Sequence, residues 1–466
     1  FFKQKTAYAI RLSLVGSEMC IRDRYFSGNQ IRILEAGVPV PDESESDGSP
    51  SRKSGWLDLS RVRIAINYQD EWSQMFREAW RLQKEFFWNE QLSGVDWNAV
   101  YRRYENLLSR IGSRSELSDL IWEMQGELGT SHAYEYGGDY PFSPQYPVGQ
   151  LGADLEYEPS RKAWVFRKIY RGDIWRVHQH SPLAEPGQQV QENDLLLEIG
   201  GVPLDASTSP GELLVHQAGQ AVQLTVKTPG KKESKRKIIV KTLIHEGKTR
   251  YREWVKQNLK FVEARSEGRV GYLHIPDMDT EGIAEFHRGF LSQVDREGLI
   301  IDARFNAGGW VSPLVLEKLT HRHLGYDVPR WGSPESYPYH TLRGHLVLIT
   351  NQFTGSDGDM FTASFKQLKL GKVIGKRTWG GVVGIDGRYQ LVDGTTTTQP
   401  QYSIWFHHAG WSVENYGVDP DLVVEDPPQS YSNGMDHQLK QAVEVIQKIL
   451  EEDPLPKIQD FKSNSR

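Results

Sequence analysis

The stretch HLVLITNQFTGSDGDMFTASFKQL, residues 345–368, joins two different hydrophobic patterns and decides the fold class. Its first six residues are mostly apolar, as in a buried parallel strand. From Met360 onwards the apolar residues follow helical spacing, so we expect a helix over 360–370. The connecting loop, 351–359, is rich in Gly, Ser and Asp, which interrupt both patterns. A strand, a tight turn and a helix form the repeating unit of an α/β domain.

The same alternation of strand and helix patterns continues through residues 249–452. Apolar runs at 271–275 and 299–305 predict two further buried strands. Apolar residues at helical spacing predict a C-terminal helix over 438–450. We therefore expect an α/β domain at 249–452, followed by a short tail at 453–466.

Residues 149–248 change to short β-rich runs separated by turns. The runs at 163–170, 222–227 and 238–242 predict strands because they alternate or are rich in β-branched residues. The basic run at 231–237 favours a solvated hairpin tip over a nucleic-acid contact. We therefore predict a small β domain.

Two motifs in this β domain, SPLAEPG at 181–187 and NDLLLEIGG at 193–201, resemble those of PDZ domains. Asn193 stands where the family usually has Gly, and Gly200 stands where it usually has Asn. PDZ domains bind peptide ends by strand addition. Whether this one does so is left open by residues 152–155, which are a poor version of the carboxylate-binding loop.

Residues 59–148 carry three helical patterns and predict a helical domain. The first pattern places its apolar residues on one face between 72 and 86. Asp96 can cap the second helix. The third begins with the capping box Ser-Arg-Ser-Glu at 113–116, and we expect Gly129 to stop it.

The N-terminal residues do not read as a folded segment. In residues 1–24 the apolar patch is interrupted by Arg11, which argues against a secretory signal. These residues resemble translated sequencing-adapter sequence, and we exclude them from the fold. Residues 25–58 predict a short strand at 30–34 and then a linker rich in Ser, Pro, Asp and Glu. Since the first residue is not Met, we expect the natural start, and any targeting signal, to lie upstream.

Composition excludes several classes of protein. The 55 Lys and Arg against 61 Asp and Glu give a net charge of −6 over 466 residues, which predicts no nucleic-acid or membrane partner. No apolar run approaches the roughly 20 residues of a membrane helix. Cys20 is the single cysteine, so neither an intramolecular disulfide nor a thiolate zinc site can form. Composition thus predicts a soluble chain. We also expect no cofactor and a cytoplasmic location, with a targeting signal upstream left open.

Four loops carry candidate chemistry. Ser356, flanked by glycines on its strand-to-helix turn, suits a nucleophile and a helix cap equally well. The loop at 306–309 follows a buried strand, and its N–H groups suit either an oxyanion site or a plain turn. Glu414 supplies a carboxylate, although most such residues lie on the surface. Ser131 and His132 follow the third helix, whose C-terminus favours a protonated imidazole.

Together these motifs resemble those of the tricorn-type serine peptidases. The resemblance extends from about residue 55 to 451 and follows the family's order. It includes Thr-Ser-His at 130–132, GRVGYLHIPDM at 268–278, the loop at 306–309, Gly-Ser-Asp-Gly at 355–358, and Glu414 with YGVDPD at 416–421. The resemblance implies a multidomain chain with a helical segment, a PDZ-like β domain and an α/β catalytic domain of the crotonase-like class. It also implies two β-propellers ahead of this region, with residues 25–58 as the exit from the second.

The resemblance further implies a catalytic tetrad. Ser356 would be the nucleophile and His132 the general base. Glu414 and Ser131 would orient and polarise the imidazole. The related carboxy-terminal processing peptidases use a Ser–Lys dyad, and this chain has Gly381 where their Lys falls. We therefore expect the histidine to be the base.

Substrate features also follow from the resemblance. The backbone N–H groups of Gly309 and Asp357 would form the oxyanion hole. The residues matching the family's peptide-holding backbone are Ala307, Gly308, Gly309, Gly384, Ile385 and Asp386. Asp327 matches an acidic position that would favour Lys or Arg before the scissile bond, although an ordinary loop Asp explains it equally well. Oligopeptide substrates and a homo-oligomer, a hexamer in this family, are implied in the same way.

The sequence is also compatible with two other functions. A non-enzymatic, peptide-binding scaffold built on the PDZ-like domain is one, but all four tetrad positions are occupied. A metal hydrolase is the other, based on the pairs His321/His323 and His407/His408. Neither pair has the i, i+4 spacing with an adjacent Glu, so we expect no metal.

Overall fold

A computed structural model describes residues 22–27, 30–35, 49–52, 54–173, 176, 179–230 and 235–459. Contacts divide the chain into two units, Phe1–Glu71 and Trp72–Arg466. The first contains an antiparallel hairpin of β1 (Arg22–Ser27) and β2 (Gln30–Glu35), which confirms the strand predicted at 30–34. Most of the predicted adapter segment and linker lies outside the described residues. Residues 22–24 of that segment are paired in β1.

The helical region has the three predicted helices. They are α1 (Tyr68–Phe86), α2 (Trp97–Glu105) and α3 (Arg114–Gly126), followed by the short strand β3 (Glu135–Tyr136). Their apolar faces form one core, and the Asp96 cap and the Ser113–Glu116 capping box are both present. α3 ends before the predicted stop at Gly129. The N–H groups of Leu128 and Gly129 bond to carbonyls three residues back, so the last turn is tighter than an α-helix.

The PDZ-like region forms a six-stranded sheet around its own apolar core. Its elements are β4 (Ala153–Glu158), β5 (Ala163–Ile169), β6 (Leu195–Ile199), β7 (Val202–Pro203), α4 (Pro210–Leu213), β8 (Ala221–Lys227) and β9 (Lys235–Lys241). The strand order is β4-β5-β6-β8-β9, so β4 is an edge strand among the described residues. The predicted strands are confirmed. Of the basic run, residues 231–234 lie outside the described part and 235–237 begin β9.

The remaining elements form the predicted α/β domain. They are α5 (Gly247–Arg265), β10 (Val270–His274), α6 (Thr280–Gln293), β11 (Gly298–Asp302), α7 (Ser312–Thr320), β12 (Gly325–Asp327), β13 (Glu335–Tyr337), β14 (His345–Thr350), α8 (Asp357–Gln367), β15 (Gly371–Gly375), β16 (Gly384–Asp386), β17 (Thr396–Thr397), β18 (Gln399–Tyr402), β19 (Leu422–Val423), α9 (Pro428–Ser432) and α10 (His437–Glu452). β17 pairs with β3, which joins the helical region to this domain.

A parallel sheet of order β10-β11-β14-β15-β19 forms the centre of the domain. Alternate side chains of each strand face two apolar cores. One core includes α6, α7 and α8, and the other includes α5 and α10. The strand predicted at 299–305 ends at Asp302, and the helix predicted from Met360 begins at Asp357. The strand is therefore shorter than predicted, and the helix begins earlier. Both differences lie at the carboxyl edge of the sheet, where ligands bind in α/β folds.

Candidate active site

Ser356 lies on the sharp turn between β14 and α8. Its backbone has φ 56° and ψ −120°, a conformation that is strained for a residue with a side chain. The side chain makes no capping hydrogen bond to α8. Helix capping therefore does not explain this residue, and the turn has the geometry of a nucleophile elbow.

A cleft of about 590 Å³ opens beside this turn and brings distant predicted residues together. His132 and Ser356 both line it, although one belongs to the helical region and the other to the α/β domain. Its other predicted lining residues are Ala307, Gly309, Asp357, Gly384 and Ile385. The cleft thus contains the components of a hydrolytic site.

Gly308 lies directly against Ser356. It has φ +84°, and a Cβ at this position would lie 2.5 Å from the Ser356 Cβ and 3.0 Å from its Oγ. Carbon atoms in ordinary contact are about 3.5–4.0 Å apart. Only glycine therefore fits both the backbone conformation and the space.

Two backbone N–H groups next to this contact are available to an oxyanion. Gly309 follows Gly308, and Asp357 is the first residue of α8. Within the described part of the chain, neither N–H donates a hydrogen bond to a protein acceptor. The N-terminus of α8 adds partial positive charge at the same place. This geometry suits the predicted oxyanion hole.

A buried ion pair anchors the loop that carries Ala307–Gly309. The Arg304 guanidinium lies 2.7 Å from the Asp302 carboxylate and 2.8 Å from that of Asp436. Burial alone would raise the pKa of Asp302, but the Arg304 charge holds it below its ordinary value. The Arg304 carbonyl accepts a hydrogen bond from His274 Nε2 at 2.8 Å. Side chain and backbone of Arg304 are both fixed, so the loop beyond it starts from a rigid point.

His132 enters the cleft on a segment tied to the α/β domain. The Thr398 hydroxyl donates to the His132 carbonyl at 2.6 Å and accepts from the Tyr134 N–H at 2.8 Å. The Trp379 ring packs edge-on against the imidazole, with the ring centroids 5.5 Å apart. These contacts fix both the backbone and the ring.

The hydrogen bonds of Ser131 determine which nitrogen of His132 carries a proton. The Ser131 Oγ lies 2.8 Å from His132 Nδ1 and 3.1 Å from Glu414 Oε2. Because a carboxylate only accepts, the Ser131 hydroxyl donates to Glu414 and accepts from Nδ1–H. The Nε2 of His132 is then unprotonated and able to accept a proton.

Glu414 is not an ordinary surface carboxylate. It accepts hydrogen bonds from the N–H of Ser131 at 2.7 Å, of Val382 at 2.7 Å and of Val383 at 3.1 Å. The Thr130 hydroxyl adds a further bond at 3.1 Å. These donors come from two segments, so the carboxylate both joins them and is held in one orientation.

The structure corrects the expected protonation of His132. The helix C-terminus suggested a preference for the protonated imidazole, but burial lowers the pKa of His132 below 6.5. The Glu414 charge and the Val383 backbone oppose this effect without overcoming it. The ring is therefore neutral at pH 7, as a general base must be.

Asp359 is a candidate that sequence reasoning missed. Its carboxylate is buried one turn into α8 and accepts from the N–H groups of Gly380 at 2.8 Å and Gly381 at 3.3 Å. Burial raises the pKa of Asp359 to about 6, against the effect of backbone donors that include Ser356. Asp359 thus links the nucleophile turn to the segment that also holds Glu414. The only signal in the sequence is a second Asp in the GSDGD loop.

Three predicted substrate residues, Gly308, Asp386 and Asp327, are not among the residues that line the cleft. Asp386 pairs with Arg388 at 2.5 Å. Asp327 lies at the end of β12, where its charge and that of Glu335 raise the pKa of Tyr339. Asp327 is therefore outside the cleft of its own chain.

The histidine pairs weighed as metal ligands lie in unrelated surroundings. The His323 ring packs against Tyr326, and His408 Nδ1 lies 2.7 Å from the Gln367 side-chain oxygen. Over the described ranges, no group of three or more His, Cys, Asp or Glu side chains is placed to hold a metal ion. The metal-hydrolase alternative gains no support. Of the helices in the same ranges, none has the length and apolar character needed to cross a membrane.

Three segments of the chain match domains of known proteases. Residues 68–126 match the tricorn protease C1 domain, and residues 149–245 match the tricorn protease PDZ domain. Residues 269–424 match peptidase family S41. The fold is therefore a helical segment, a PDZ domain and an S41 peptidase domain in that order.

The relatives identify the branch of this family. The chain is 46% identical to the tricorn protease homolog of Saccharolobus solfataricus, over 91% of this chain and 38% of that protein. It is 42% identical to the tricorn protease of Thermoplasma volcanium, over 96% of this chain and 42% of that protein. A crystal structure of the tricorn protease matches with a TM-score of 0.83 at 37% identity, over 91% of this chain and 40% of that one. The chain belongs to the tricorn-type branch of peptidase family S41, and it spans about two fifths of the length of these relatives.

Proposed function

We propose that this chain is a serine endopeptidase that cleaves oligopeptides with Ser356, His132, Glu414 and Ser131. The observation that carries the proposal is the hydrogen-bond chain from the Glu414 carboxylate through the Ser131 hydroxyl to His132 Nδ1. His132, the last residue in this series of hydrogen bonds, lines the cleft that also contains Ser356. The Ser356 backbone is strained, and its side chain makes no capping hydrogen bond. Family membership and similarity to tricorn proteases support the same function.

The reaction follows from these positions. The Ser356 Oγ attacks the peptide carbonyl carbon while His132 Nε2 takes its proton, and the carbonyl oxygen becomes an oxyanion. The N–H groups of Gly309 and Asp357 donate to that oxyanion. The imidazolium that forms is stabilised through Ser131 by the negative charge of Glu414.

Collapse of the tetrahedral intermediate breaks the C–N bond. The imidazolium of His132 protonates the leaving amine, which departs and leaves an acyl-enzyme on Ser356. A water molecule then attacks the ester, with His132 again as base, and the acid product and free Ser356 are released. No cofactor is needed in this scheme.

Substrate length, assembly and location are further parts of the proposal. Oligopeptide substrates, a homo-oligomer of hexameric form and a cytoplasmic location rest on the resemblance to tricorn-type peptidases. The peptide backbone would run along Ala307–Gly309 and β16, with Asp386 as the end of that strand. Asp327 is not among the residues that line the cleft, so its role in selecting Lys or Arg rests on the resemblance alone.

The test is a pair of single variants and their combination. Ser356→Ala and His132→Ala should each lower kcat by about 10⁴-fold or more, and the double variant should lose little more, because the two residues act as one unit. A fluorophosphonate probe should label the wild type and fail to label Ser356→Ala. Additive losses, or unchanged labelling of Ser356→Ala, would refute the assignment. Absence of both hydrolysis and labelling in the wild type would favour a peptide-binding scaffold.

A further inference from the structure

The PDZ domain has a carboxylate in contact with the loop at which PDZ domains receive a peptide end. That loop, residues 152–155, includes the start of the edge strand β4. The N–H of Gly152 donates to Glu246 Oε2 at 3.1 Å. Glu246 directly precedes α5, the helix that enters the peptidase domain. The Glu246 carboxylate therefore accepts from a backbone N–H of the loop that resembles the carboxylate-binding loop of PDZ domains.

Arg250 holds this carboxylate in place. Its Nε donates to Glu246 Oε1 at 2.7 Å, and its Nη2 lies 2.8 Å from Asp154 Oδ1 on β4. The guanidinium also stacks over the Tyr170 ring, 4.2 Å from its centroid. The Tyr170 hydroxyl in turn donates to Asp154 Oδ2 at 2.7 Å. Glu246 and Arg250 are thus bonded to Gly152 in the loop and to Asp154 in the edge strand.

Charge and exposure separate this arrangement from a simple surface ion pair. The Glu246 side chain is only 19% exposed, whereas those of Arg250 and Asp154 are 36% and 44% exposed. Glu246 receives a backbone N–H and a guanidinium, which are the donors that a free peptide carboxylate needs. An incoming carboxylate would meet both the filled donor and a like charge.

We infer that residues 152–155 form a carboxylate-binding site that Glu246 closes from within the same chain. In this state the PDZ domain is a fixed connection to α5 and does not take up peptide ends. Removing the Glu246 carboxylate opens the site to the free α-carboxylate of an extended peptide. Strand addition along β4 would then supply the remaining contacts.

The experiment measures binding of one labelled peptide in two forms, with a free C-terminal carboxylate and with a C-terminal amide. The peptide ends in Val, and Ser356→Ala is present throughout so that no cleavage occurs. This background makes the result independent of the proposed peptidase function. The variants are Glu246→Ala, Glu246→Gln and the control Glu281→Gln, whose carboxylate pairs with Lys248 at the surface at 2.6 Å.

The measured quantity is the ratio of affinities for the acid and amide peptides, from fluorescence polarisation. We expect a ratio near one for the parent and for Glu281→Gln, and an increase of about tenfold or more for Glu246→Ala. Glu246→Gln should show a smaller increase, because its amide oxygen can still accept from Gly152. If Glu246→Ala fails to fold, the ratio measured for Glu246→Gln still tests the inference. A raised ratio in the parent, or an unchanged ratio in a folded Glu246 variant, would overturn the inference.

Discussion

Gly308→Ala tests whether the close contact beneath Ser356 positions the nucleophile. The added Cβ would lie 2.5 Å from the Ser356 Cβ, whereas carbon atoms in contact need about 3.5 Å. One of the two segments must therefore move by about 1 Å, and a shift of this size in a catalytic group costs about 100-fold in rate. We expect kcat to fall by that factor.

Backbone strain is separated from the clash by a matched glycine. Gly394 has φ +83°, close to the +84° of Gly308, but an added Cβ there meets no atom within 4 Å. Both Ala variants therefore pay about 1–2 kcal/mol for a left-handed backbone, and only one displaces Ser356. The assay is kcat on a fluorogenic peptide, with thermal unfolding of both variants. An equal fall in kcat for both would refute the reasoning.

Three further predictions concern the charges around the site. Glu414→Gln should lower kcat with little change in KM, because the charge that stabilises the imidazolium is lost while the shape stays; an unchanged kcat would show that Glu414 has no catalytic part. Since the pKa of Asp359 is raised from 3.8 to about 6, the folded state binds its proton more tightly than the unfolded state; the wild type should therefore lose stability relative to Asp359→Asn as the pH rises from 4 to 7, by at most about 3 kcal/mol in denaturant titrations, and parallel curves would contradict this. Asp327→Asn should lower the ratio of kcat/KM for Arg over Leu before the scissile bond, by a factor equivalent to about 1–3 kcal/mol, and an unchanged ratio would exclude Asp327 from specificity.

Much of the fold could be predicted because its signals are local. The run at 345–350 is a strand in the structure, and the capping box at 113–116 starts a helix as expected. The ends of the helices and strands were less predictable, since they depend on contacts between residues that are far apart in the sequence. β11 ends at Asp302, which forms a buried ion pair with Arg304, and Arg304 also pairs with Asp436 far along the chain. The hydrophobic periodicity of the sequence does not predict such an ion pair.

The site was predictable only as far as its motifs. From the residues alone, Ser356 could be a nucleophile or a helix cap. Glu414 could be a catalytic carboxylate or an ordinary surface residue. The strained φ of Ser356 and the backbone donors to Glu414 favour the catalytic alternative in each case, and neither feature can be inferred from spacing. The lowered pKa of His132 reverses a helix-end argument because burial is a property of the whole fold. Asp359 was missed for the same reason.

The hydrogen bonds of Thr398 and Glu414 to residues 131 and 132 bear on when, during synthesis, the proposed base becomes oriented. Both tethering residues follow Ser356 in the chain, so a ribosome completes the nucleophile turn before it makes the residues that fix the imidazole. A nascent or truncated chain ending before them holds a serine without an oriented base. The base of the proposed tetrad is thus oriented only after residues 398 and 414 have been made, because of the order of these residues in the chain.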